Sequence, residues 1–194
     1  MSSSIFMTEG GVAGHMAHLY DNGELKFSEI KDIFKKASSG ELKGTEKTDG
    51  QNLFVSYSVK DGEAKAARNK TNIVSGGLSP AGLSSKFAGR GNLEKSFTEA
   101  FTAFEKGIQS LSKKDQTFLF GADAEIYYNA EVMDPRSPNV INYDKKSFVI
   151  HQVGHAAYNK KTGEKLDVPL KSRVVALQKV MDGIREVLAG DEFH

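Results

Sequence analysis

The sequence contains no cysteine, which excludes disulfides and thiolate metal sites and is compatible with a reducing, cytoplasmic setting. No apolar run approaches the roughly 20 residues that a membrane-crossing helix needs. Residues 1–11, MSSSIFMTEGG, have neither the basic start nor the apolar core of a secretory signal. An excess of one charge is lacking too: 26 Lys and Arg against 25 Asp and Glu leave a net charge of +1. A nucleic-acid partner therefore has to be met by a local surface. What remains is ordinary globular material, 39% hydrophobic and 26% charged. The 194 residues suffice for a single domain, 1–194, with its own core.

The most informative stretch is Gly44 to Lys70. A Lys-x-Asp-Gly tetrad (Lys47, Thr48, Asp49, Gly50) precedes Leu53 to Val59, where apolar and smaller residues alternate as in a half-buried strand. Asp61-Gly62 is the dipeptide of a tight hairpin. The returning strand, Ala64 to Ala67, delivers Arg68-Asn69-Lys70 beside the start. The hairpin thus gathers a lysine, an arginine and small polar groups at one end of a sheet.

Helical spacing of apolar residues predicts amphipathic helices over 27–37, 93–111 and 170–189. Residues 71–92, rich in Gly, Ser and Asn, read as a loop, with Lys86 and Arg90 as backbone contacts for nucleic acid or as solvated charges. Residues 117–133 read as one aromatic and apolar strand around Asp123 and Glu125, and 147–153 as another buried strand. His15 and His18 follow a glycine-rich loop, which suits phosphate contact better than metal ligation or else packs over the fold's edge.

The run Glu46-Lys47-Thr48-Asp49-Gly50, then strand, turn, strand and Arg68-Asn69, resembles the nucleotide-binding core of covalent nucleotidyltransferases. These are the ATP-dependent DNA ligases, RNA ligases and mRNA capping enzymes. The resemblance implies an α+β fold, an ATP-grasp-like ligase core in which antiparallel strands form a nucleotide pocket with helices outside. It implies that Lys47 attacks the α-phosphate of ATP and carries AMP as a phosphoramidate. Glu46, Asp49, Gly50, Asn52 and Arg68 would bind nucleotide, Glu125 would meet the ribose or a metal-bound water, and His151 would stack on the purine. Lys47, Arg68 and Glu125 would then converge on one cavity, with ATP and magnesium as cofactors and RNA or DNA ends as partners.

Asn52, where DNA ligases and capping enzymes place an arginine, leans toward RNA ligases and adenine. The resemblance covers about residues 40–155, and no strand carries the closing K-x-K pair. A fragment of a longer protein or a degenerate member is expected, with slow self-adenylation. The alternatives are a nucleotide-binding module without catalysis and a structural protein in which K-T-D-G is only a turn. Deprotonating a lysine from its reference pKa to pH 7 requires about 4.6 kcal/mol, which the site has to supply through burial and neighbouring cations.

Overall fold

Alternation in the tetrad's wake is realised as β1 (Gln51–Ser58), which turns through Gly62 in the left-handed region (φ 71°) into β2 (Glu63–Ala67). Ser58 holds this turn, its hydroxyl donating to Asp61 at 2.9 Å while its carbonyl accepts from Gly62 N–H at 2.8 Å. The structure, a computed structural model, describes residues 23–42, 48–151, 157–164, 166 and 170–187. The chain divides into two compact units, Met1–Thr48 and Asp49–His194.

In the first unit, helix α1 (Phe27–Ser38) starts where the Glu29 carboxylate accepts the Lys26 backbone N–H at 2.8 Å, and carries a Lys36–Asp32 pair at 3.1 Å. None of its residues is buried, and Phe27 and Phe34 are exposed. His15, His18 and the glycines before them lie outside the described residues, as do Glu46 and Lys47 of the motif.

The second unit is built on an open antiparallel sheet. Its strands run β2-β1-β3-β4, with β3 at Ile126–Met133, β4 at Ser147–Ile150, and β5 (Ala157–Asn159) also paired with β3. With α1, six helices and five strands make up the described residues, an α+β arrangement. Ala130 pairs with Ile150, yet Tyr128 pairs with Ala157. Two residues along β3 thus correspond to seven in the chain from Ile150 to Ala157, so β4 and β5 are out of register with each other by five.

Two expectations are corrected here. Residues 71–92 are not a loop: they form α2 (Lys70–Val74) and α3 (Pro80–Phe87). The Asn69 side chain accepts from Asn72 N–H, and Ser79 accepts from Gly82 N–H with Pro80 in the first turn, so serine, asparagine and proline act as helix starts. Nor is 117–133 one strand. Helix α5 (Lys113–Phe120), capped by Ser112, occupies its first part and stops at Gly121 (φ 79°).

The aromatic stripe of α4 (Asn92–Gln109) is core, as its spacing implies. Phe97, Phe101, Phe104 and Ile108 are buried with Leu53, Val55 and Tyr57 of β1 and Tyr128 of β3. Phe104 meets Phe120 edge-on at 6.0 Å. Helix α6 (Leu170–Val187) adds Leu177, Val180 and Ile184 to the same core. β1 is buried on both faces rather than one. Phe54, on the face away from α4, meets Tyr158 of β5 edge-on at 4.9 Å. No helix among the described residues is long and apolar enough to cross a membrane.

Helices α4 and α6 approach closely at Gly107. A methyl there would lie 2.4 Å from Ile184 Cγ1 and 3.0 Å from the Val180 carbonyl oxygen. Gly107→Val is therefore expected to lower stability by about 1–3 kcal/mol through overpacking, read as a fall in the urea midpoint. An unchanged midpoint would show that α6 is not seated on this glycine.

Candidate functional site

The register of β1 on β3 sets Asn52 opposite Glu131 and Phe54 opposite Asn129. Because side chains alternate along strands, Asn52, Asn129 and Glu131 share the sheet face turned away from the α4 core. His151, whose N–H donates to the Asn129 carbonyl at 2.9 Å, joins them from the end of β4. The Asn52 side-chain amide donates to Asn129 Oδ1. Glu131 accepts the Gly50 N–H at 3.1 Å and lies 3.3 Å from His151 Nε2. The group is half-buried: the Glu131 side chain keeps 17% of its exposure and His151 31%.

Gly50 is required by this contact. A Cβ at Gly50 would sit 2.9 Å from Glu131 Cβ and 2.9 Å from Met133 Cγ. Asp49, its neighbour, works as a clasp. Its carboxylate accepts from Val140 N–H at 2.7 Å, from Ile141 N–H at 2.5 Å and from the Asn139 side chain at 2.8 Å, while its own N–H donates to Tyr143 Oη at 3.0 Å. The loop from β3 to β4 is thereby tied to the head of β1, and a shallow crevice between them is lined by Asp49, Gly50, Gln51, Met133 and Tyr143.

A second clasp holds the root of that loop. The buried Asp134 takes Arg136 Nε at 3.0 Å and Ser96 Oγ at 2.9 Å, and Arg136 reaches Glu99 at 2.6 Å, which also receives Lys146 at 3.2 Å. Burial alone would raise the Asp134 pKa, but the hydrogen bonds from Arg136 and Ser96 outweigh it and hold it below the usual carboxylate range. Glu99 is held low chiefly by the Arg136 hydrogen bond. Arg136 in turn is raised, first by its bond to Asp134.

Gly50, Asn52 and His151 of the expected set therefore meet around Glu131, while Asp49 holds the β3–β4 loop beside them. Arg68 and Glu125 do not join them, nor do they meet each other, while Lys47, expected to converge with both, lies outside the described residues. Ala67 pairs with Phe54, so the next residue, Arg68, falls on the face of Leu53. Its guanidinium lies 4.8 Å from the Phe97 ring centre, in the helix layer. Glu125 lies six residues before Glu131, about 20 Å along the strand, and its carboxylate accepts the Asp123 N–H at 3.0 Å within the turn after α5. Among the described residues no three His, Asp or Glu side chains are grouped to hold a metal ion.

Sequence reading missed Glu131 and Asn129. Their signal is Asn129-Ala130-Glu131-Val132-Met133, an acid between small and apolar residues; a strand drawn from 117, within α5, hides it by supplying its acid at Glu125 instead. Comparison with family models, curated proteins and solved structures finds no match to this chain.

Two outcomes test the clasps. Asp49→Ala removes an acceptor shared by two backbone N–H groups, so the amides of Val140 and Ile141 should exchange with solvent markedly faster; unchanged protection would refute the clasp. The second concerns pH. Both depressed carboxylates stabilise the fold above the ordinary carboxylate range, near pH 4, and that stability is lost as pH falls through it. Arg136→Ala should destabilise by about 3 kcal/mol at pH 7 and flatten or reverse the acid limb of the stability curve. An acid limb of wild-type steepness would contradict this.

Proposed function

We propose that this protein is a nucleotidyltransferase of the RNA-ligase kind: the Lys47 amine attacks the α-phosphate of ATP, the bond to pyrophosphate breaks, and AMP stays on Lys47 as a phosphoramidate. The observation that supports the reading most is the pairing of Gly50, last residue of the tetrad, with Glu131 beside His151, Asn52 and Asn129. Such a set fits a nucleoside. A carboxylate accepts ribose hydroxyls, two amides offer both donors and acceptors to a base edge, and an imidazole gives a flat ring or a hydrogen bond. Glu131 takes the part first given to Glu125. Lys47 stands two residues before Asp49 in the chain, so the reactive amine belongs to the same segment.

Asp49 acts in this reading by holding the β3–β4 loop, and Gly50 by leaving space for Glu131. Magnesium enters through the resemblance alone, and no step is drawn through it. The joining of RNA or DNA ends belongs to the same proposal. One observation favours the alternative of a nucleotide-binding module without catalysis: Arg68, expected on the phosphate, faces the helix layer instead.

Incubation with α-labelled ATP and magnesium, followed by denaturing electrophoresis, separates these readings. Slow labelling is expected, abolished in Lys47→Ala, and ATP should be preferred over GTP in calorimetry. Glu131→Gln should weaken ATP binding by about tenfold, near 1.4 kcal/mol. ATP binding without labelling would leave the non-catalytic module. Labelling that survives Lys47→Ala, or binding indifferent to Glu131→Gln, would remove the proposal.

A further inference from the structure

Between Ala64 and Leu93 the chain carries five lysines and arginines and no aspartate or glutamate, in a protein whose net charge is +1. This stretch folds as β2, α2 and α3 along the free edge of the sheet. Lys65 is neutralised by Glu63 and by Asp61, the latter at 3.8 Å. Among the described residues, no carboxylate pairs with Arg68, Lys70, Lys86 or Arg90.

Two of these cations meet on one ring. The guanidinium of Arg68 lies 5.7 Å from the centre of the buried Phe87 ring, and that of Arg90 lies 5.6 Å from it. Arg68 is half-buried, and its guanidinium donates to the Asn52 carbonyl at 2.6 Å, the one acceptor the guanidinium has among the described residues. A guanidinium carries five N–H donors in a planar fork, so most of its donors lack a partner among the described residues. Burial, and then the charge of Arg90, press the Arg68 pKa downward, as expected of two like charges with no anion between them.

We propose that Arg68 and Arg90, with the exposed Lys86 that precedes Phe87 in the chain, form a phosphate-binding surface for the backbone of a nucleic-acid strand. Guanidinium forks match phosphate oxygens bidentately. The Phe87 and Phe97 rings hold Arg68 in place by cation–π contact, while Arg90 is exposed to receive a ligand. Five cations and no carboxylate within residues 64–93 suit a polymer with repeated charges better than one small anion. This surface lies in the helix layer, on the other side of the sheet from Glu131 and His151. The choice of nucleic acid among phosphate-bearing polymers rests on the nucleotidyltransferase reading; the arrangement of cations does not.

The test is fluorescence anisotropy of a labelled single-stranded RNA with the whole chain, in the absence of ATP and metal, at salt from about 50 to 200 mM. Arg90→Glu is expected to weaken binding by about tenfold or more and to lower the slope of log affinity against log salt by about 1. Lys86→Glu should act in the same direction. Lys114→Glu, an equal change of charge on α5, should leave binding as it is. Equal binding by Arg90→Glu and wild type, or equal losses in Arg90→Glu and Lys114→Glu, overturns the proposal. So does calorimetry showing Arg90-dependent binding of inorganic phosphate without strand binding, which assigns a small-anion site. Strand binding that persists in a chain failing to label with AMP would remove the nucleotidyltransferase reading and leave this surface standing.

Discussion

The pairing of β1 with β3 governs everything else in the larger unit. Leu53 opposite Ala130 and Val55 opposite Tyr128 place one set of side chains in the α4 core, and the same register sets Asn52 against Glu131 on the other face. A slip of one residue would exchange the two sets, burying amides and a carboxylate among phenylalanines. The apolar face thus enforces the polar one: core packing against Phe101 and Phe104 decides which side chains meet around Glu131. Buried strands on both faces leave little room for another solution, since Phe54 is itself covered by Tyr158.

The central hairpin and the long helix α4 were legible because their periods are regular and their apolar residues unambiguous. The failures share a cause. In residues 71–92 the sequence is rich in residues that end helices and also begin them, and only the position of Asn69 and Ser79 before short apolar turns distinguishes the two uses. Residues 113–120 carry enough aromatic and apolar side chains to pass as strand, yet Ser112 caps them and Gly121 stops them. β5, only three residues long, leaves almost no pattern to read. Tertiary pairing with β3 defines it.

That misread helix also displaced the candidate carboxylate. With the strand begun at 117, Glu125 falls where the resemblance implies an acid, eight residues into it, and Glu131 goes without a role. Which acid faces Gly50 depends on long-range register, and a local motif does not contain that information. Arg68 shows the same limit: the hairpin was placed correctly, but the face on which its last residue emerges follows from the pairing of Ala67 with Phe54.

The five-residue jump between β4 and β5 has a bearing on how the molecule behaves in company. A sheet's free edge offers unpaired backbone groups to any passing chain, and long flat edges are where proteins polymerise. Here the edge beyond β3 is cut into pieces of four and three residues, each too short and out of step with the other to act as a template. At the opposite edge, Ala66 of β2 already exchanges backbone hydrogen bonds with Leu78, at 2.9 and 2.7 Å. Among the described residues, the two edges thus offer a neighbouring copy of the chain only short runs of open backbone.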